Sequence, residues 1–184
     1  MGRSYESTRN SELKAAASEA VLKGIADDGG LFVMRDLGEK KVVIKDLIGK
    51  NYMEIAEKVL GILLDDYPEH IIKECVRNAY RDKFSTEEIT PLVKAGENHV
   101  LELYHGPTSA FKDVALSILP HLMTASYEMN RMEGEVIILT ATSGDTGKAA
   151  LEGFKDVKGT KIIVFYPEGG VSQVQEMQMV TQEG

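Results

Sequence analysis

The chain has 184 residues, of which 43% are apolar and 27% charged, and its net charge is −8. That length suits one ordinary domain, or one domain with a smaller helical companion, and the composition is that of a globular protein rather than a disordered one. The acidic balance, with no basic stripe, excludes nonspecific binding to nucleic acid or an anionic membrane, whose affinity comes from clustered Lys and Arg.

Cys75 is the only cysteine, which removes intramolecular disulfides and paired-cysteine metal or redox motifs. Its neighbours Ile71, Ile72, Val76 and Ala79 point to buried packing. The four histidines have no metal-ligand spacing, so no metal is expected. The first ten residues carry no apolar signal segment, and no apolar run is long enough to cross a bilayer. A cytoplasmic protein without nucleic-acid or membrane partners is expected.

Residues 1–95 read as a mainly helical N-terminal domain. Ser11 is placed to cap a helix with Leu13, Ala16, Ala17, Ala20 and Val21 at helical spacing, ending near Gly24. A turn at Asp28-Gly29-Gly30 leads into a short apolar run at 31–33, and residues 41–44 form a second β-like run. Tyr52, Ile55, Ala56, Val59, Leu60 and Leu63 make an amphipathic stripe, and Pro68 opens a further helix. Ser85-Thr86-Glu87-Glu88 has capping-box spacing for a short helical turn.

Residues 96–184 read as an α/β domain. An apolar run at 100–104 leads into the loop His105-Gly106-Pro107-Thr108-Ser109, then a helical stripe through Phe111, Ala115, Ile118, Leu119, Leu122 and Met123. Pro120 falls inside that stripe and predicts a kink or break. Residues 136–142 read as a strand buried on both faces. Ser143-Gly144-Asp145-Thr146-Gly147 turns into a helix over roughly 146–154, 161–166 is another buried strand, and Ser172 begins a last helix. The alternation predicts a parallel βαβαβ sheet.

Ligands in such sheets bind at the carboxyl ends of the strands. The loops after Tyr104 and Thr142 both aim backbone N–H groups and a helix N-terminus at that rim, a geometry that favours an anion. A P-loop does not fit: Thr142 stands where its first glycine belongs, and Ala149 replaces the magnesium-binding hydroxyl. From position alone Lys112 reads as a solvated lysine paired with Asp113. The alternative is an amine whose pKa is lowered by partial burial and a helix N-terminus, able to attack an aldehyde.

An ordered series of motifs resembles the threonine synthase family. It comprises Ser7-Thr8-Arg9, then Gly24-Ile25-Ala26-Asp27-Asp28-Gly29-Gly30-Leu31-Phe32-Val33, then His105-Gly106-Pro107-Thr108. Ala110-Phe111-Lys112-Asp113-Val114-Ala115, Thr140-Ala141-Thr142-Ser143-Gly144-Asp145-Thr146-Gly147, Pro167, Gly170-Val171-Ser172 and Gln178-Met179 complete it. Asn10 and Lys148 depart from the family pattern.

The resemblance implies a fold-type-II pyridoxal 5'-phosphate enzyme that converts O-phospho-L-homoserine and water to L-threonine and phosphate, the last step of threonine biosynthesis. It implies that Lys112 holds the cofactor and moves protons, that Asp145 approaches the cofactor's ring oxygen, and that Phe111 packs on its ring. Ser143, Gly144, Asp145, Thr146 and Gly147 would receive the substrate's α-carboxylate, with Thr108 and Ser109 as further substrate contacts. Arg9 is placed either for the leaving phosphate or in a structural salt bridge, and Lys148 to pair with Asp145. The family's members extend well beyond 184 residues, so a fragment without the cofactor-phosphate loop, inactive alone, is expected. A related phospholyase and a noncatalytic small-ligand-binding domain are the alternatives.

Overall fold

The computed structural model describes residues 4–142 and 144–184. By internal contact they form two compact units. One takes the described residues through Arg77 together with Ala125–Glu133; the other takes Asn78–Thr124 and Gly134–Gly184. The units interleave along the chain, whereas the sequence reading divides it once, at residue 95.

The first unit opens on an antiparallel sheet ordered β2-β1-β3, from β1 (Tyr5–Ser7), β2 (Lys14–Ala15) and β3 (Phe32–Met34). The expected helix from Ser11 is thus corrected: α1 is Ala17–Lys23, and Lys14 and Ala15 pair with Glu6 and Tyr5. Tertiary pairing outweighs local periodicity here. The chain reverses at Asn10, and the Ser7 N–H donates to the Leu13 carbonyl at 3.0 Å. Helix α1 is then tied down by Asp66, whose carboxylate accepts from the Ser18 N–H and, at 2.6 Å, from its hydroxyl.

Residues 41–44 form no strand; the region carries short 3₁₀ turns at Leu37–Glu39 and Ile44–Leu47. Val43 and Ile44 are exposed, and no ladder partner is paired with them among the described residues. The two helices expected next are present as α2 (Tyr52–Leu63) and α3 (Glu69–Tyr80). Asn51 caps α2 by accepting from the Glu54 N–H, while Glu54 accepts from the Asn51 N–H. Ile72, Cys75, Val76 and Ala79 give α3 its buried stripe.

The second unit begins with a hairpin of β4 (Leu92–Ala95) and β5 (Asn98–Leu101), closed by a two-residue turn with Gly96 at φ +65°. Residues 100–104 are therefore not a parallel strand: Val100 and Leu101 pair antiparallel, and residues 85–88 form turns without a helix. The stripe after the loop splits into α4 (Asp113–Leu116) and α5 (Leu119–Met129), the break that Pro120 predicts.

The parallel sheet of this α/β fold is the pair β6 (Val136–Ala141) and β7 (Thr160–Phe165), in register from Val136↔Thr160 to Ala141↔Phe165. Helix α6 (Asp145–Phe154) crosses between them, and α7 (Gln173–Val180) follows with Ser172 capping it through the Gln175 N–H. The strands are not buried on both faces. Ile137, Leu139, Ile163 and Phe165 face solvent, because α6 packs on the opposite side. It does so through Gly147, where a Cβ would lie 3.0 Å from Val164 Cγ1 and 3.2 Å from Met179 Sδ. No helix among the described residues is long and apolar enough to cross a membrane.

Candidate active site

At the end of β6 the chain must turn from strand into helix within a few residues. Thr142 organises that turn: its hydroxyl oxygen accepts from the N–H groups of Gly144 (3.1 Å) and Gly147 (3.2 Å). Its own N–H donates to the Phe165 carbonyl at 2.9 Å, continuing the ladder with β7. Two of the N–H groups expected to face an anion are thereby turned inward. Those of Asp145 and Thr146 lie in the first turn of α6, where no intrahelical acceptor exists. Ser143 lies outside the described residues.

Asp145 starts α6, where a carboxylate is favoured by the helix dipole. It is half exposed and accepts from Lys112 Nζ at 3.1 and 3.2 Å. Lys112 immediately precedes α4, and its ammonium lies 4.3 Å from the centroid of the exposed Phe111 ring. The two expected lysine pairings are both replaced. Asp113 turns away from Lys112 to Thr108, and Lys148 reaches Glu152 and Gln182 instead of Asp145. Asp145 is already engaged by Lys112.

The loop 105–109 beside Lys112 is pinned at both ends. The His105 ring sits between the Ser85 hydroxyl (2.9 Å from Nδ1) and the Glu102 carboxylate (2.7 Å from Nε2), and stacks on Tyr104 with centroids 4.6 Å apart. The bonds from His105 and then Tyr104 hold the Glu102 carboxyl below the usual carboxylate range. At the other end Thr108 donates twice to the buried Asp113 carboxylate. Sequence reasoning overlooked Ser85, Glu102, Asp113 and Thr142 as organisers. The one available signal was Thr108 standing five residues before an aspartate that follows the lysine.

In the first unit the motifs at 7–9 and 24–33 interlock. The Ser7 hydroxyl bonds the Asp28 carboxylate at 2.8 Å, the Thr8 N–H donates to the Leu31 carbonyl, and the Leu31 N–H returns to Thr8 Oγ1. Arg9 Nη1 donates to the Asp28 carbonyl at 3.2 Å. Gly30 leaves no space here, since a Cβ would meet Ser7 Oγ at 2.1 Å. The arrangement uses all three residues of the first motif to fix one turn.

A primary amine, an exposed aromatic face and first-turn N–H donors on one rim suit an aldehyde-bearing, anionic aromatic ligand. Residues 4–80 match the family model for the threonine synthase N terminus. The chain is 35% identical to threonine synthase of Saccharomyces cerevisiae, over 96% of this chain and 37% of that protein. It is 37% identical to threonine synthase-like 1 of Homo sapiens, over 89% of this chain and 23% of that protein. The crystal structure of pyridoxal-phosphate-bound threonine synthase from Brucella melitensis superposes with a TM-score of 0.86 at 38% identity, over 95% of this chain and 38% of that one. The chain thus spans little more than a third of the length of the threonine synthases it matches. Along nearly all of its residues, in sequence and in fold, the chain is similar to threonine synthases, and residues 4–80 match their N-terminal domain.

Proposed function

We propose that these residues serve, in the complete protein, a cytoplasmic pyridoxal-phosphate-dependent threonine synthase. It would convert O-phospho-L-homoserine and water to L-threonine and phosphate. The observation that carries this reading is the Lys112 amine, directed at Asp145 at 3.1 Å across the rim of the parallel sheet.

Lys112 would hold the cofactor through its aldehyde group. Pyridoxal phosphate, when bound, supplies the electron sink for bond breaking at the substrate's α and β carbons. Asp145 keeps the Lys112 side chain aimed across the rim, so that Nζ can give and take protons beside the substrate. Phe111 offers an apolar face for the aromatic ring. The first-turn N–H groups of Asp145 and Thr146, with the Thr146 hydroxyl, bind the substrate's α-carboxylate, charge-assisted by the helix N-terminus. Gly144 and Gly147 shape that loop, and Ser109 lines the neighbouring one.

Borohydride reduction of the complete protein with pyridoxal phosphate, followed by peptide mapping, tests this. The label is expected at Lys112 and absent in Lys112→Ala. Label dispersed over surface lysines overturns the reading. A second reading is a related phospholyase acting on the same substrate, which would use the same lysine, Lys112. Product analysis separates them, because a phospholyase releases 2-oxobutanoate in place of threonine.

A further inference from the structure

Threonine has two donors, its N–H and its hydroxyl. In Thr108 both are spent on one carboxylate: the N–H reaches Asp113 Oδ2 at 2.8 Å and the hydroxyl reaches Oδ1 at 2.6 Å. Asp113 is only 1% exposed. A carboxylate taken so far out of water is costly unless hydrogen bonds replace its hydration. This clamp is what makes the burial tolerable.

The surrounding chain is built to the same carboxylate. Gly106 lies against it so closely that a Cβ would fall 2.4 Å from Asp113 Cβ and 2.5 Å from Oδ2. Ser109 takes a left-handed conformation, φ +59°, and its N–H donates to the Gly106 carbonyl at 3.1 Å. On the far side, the Tyr80 hydroxyl donates to the Val114 carbonyl at 2.8 Å. Helix α4 approaches α6 so tightly that a Cβ on Gly153 would stand 2.3 Å from the Leu116 carbonyl oxygen. Asp113 is the middle of this assembly, and Lys112 is its immediate neighbour.

We propose that Asp113 is a positioning residue: by clamping Thr108 it fixes the loop 105–109 and the backbone of Lys112, and so sets where the Lys112 amine meets Asp145. This rests on the reading of Lys112 as the cofactor lysine. Thr108, with no donor left for an anion, acts through Asp113 rather than on substrate. Anion recognition on this rim then belongs to the first turn of α6.

The test uses Asp113→Ala, Asp113→Asn, Thr108→Val and Thr108→Ser in the complete protein. Two quantities are measured: amide hydrogen exchange at residue 108 without cofactor, and Lys112-specific borohydride trapping with pyridoxal phosphate across pH. Misplacing a reacting group by about an ångström costs up to ~100-fold, so Thr108→Val and Asp113→Ala should slow trapping about tenfold or more and speed exchange. Thr108→Ser restores both. Asp113→Asn retains the exchange protection, since its amide can accept from the N–H and donate to the hydroxyl. If Asp113→Ala does not fold, Thr108→Val, which exchanges one hydroxyl for a methyl, carries the test. Wild-type trapping in folded Thr108→Val overturns the proposal while leaving Lys112 as the cofactor lysine. Absence of Lys112 trapping in the wild-type protein defeats that underlying reading instead.

Discussion

Lys112 and Asp145 lie 33 residues apart in sequence, yet the Lys112 ammonium donates to both carboxylate oxygens of Asp145, at 3.1 and 3.2 Å. The pair is partly solvated, with side chains 26% and 52% exposed. Such pairs contribute roughly 0.2–1 kcal/mol to stability. Asp145→Asn should therefore leave the melting temperature of the complete protein almost unchanged. Trapping of pyridoxal phosphate at Lys112 should fall sharply in the same variant. A large loss of stability with unaltered trapping would assign the pair to the fold rather than to the site.

How much of this was legible beforehand follows from which interactions are local. The helix begun at Ser172, the break at Pro120 and the start of α6 within a residue of Thr146 depend on residues within one helical turn, and the sequence pattern exposes them. Residues 14–15 and 92–95 were hidden because their strand character comes from partners, Tyr5 and Glu6 in one case and the β5 strand in the other. The Gly96 turn was the readable sign of that hairpin. At the site, Lys112 and Asp145 were identifiable by family resemblance. Their mutual pairing was not, because each has a nearer partner of opposite charge in sequence, Asp113 for one and Lys148 for the other. Asp113 goes elsewhere because burial commits it to Thr108, a choice that only packing determines.

Two glycines carry the close approaches around α4. A methyl at Gly106 would collide with the Asp113 side chain, and one at Gly153 with the Leu116 carbonyl oxygen. Overpacking of this kind costs about 1–3 kcal/mol. Gly106→Ala and Gly153→Ala should each lower the midpoint of denaturant unfolding accordingly, with Gly153→Ala the worse because it meets backbone. Gly38, with nothing within 4 Å of an added Cβ, is the control. Gly38→Ala should stay within about 0.5 kcal/mol of the wild type. Equal effects at all three positions would contradict the packing argument.

Cys75 is buried on α3, and burial pushes its thiol up to about 11. The thiolate is the reactive form, so at neutral pH the native protein should react slowly with a disulfide reagent. Reaction should accelerate once denaturant exposes the helix, and its rate should track unfolding measured by circular dichroism. Native-state reaction as fast as that of the denatured chain would show that α3 opens without global unfolding.

Asp28 supplies a pH test of the turn that joins the two N-terminal motifs. The Gly30 N–H, first, and then the Ser7 hydroxyl hold its carboxyl below the usual carboxylate range. A carboxylate whose folded pKa lies below its unfolded one stabilises the native state above the unfolded value, about 3.9. That stability is lost as pH falls through the lower, folded value. Asp28→Asn keeps the shape and removes the charge. The wild type should melt above this variant by a steady margin at neutral pH, and the margin should narrow as pH falls through and below the unfolded value and Asp28 itself becomes neutral. A margin that persists undiminished into acid would mean that the fit of the side chain, rather than its charge, holds the turn.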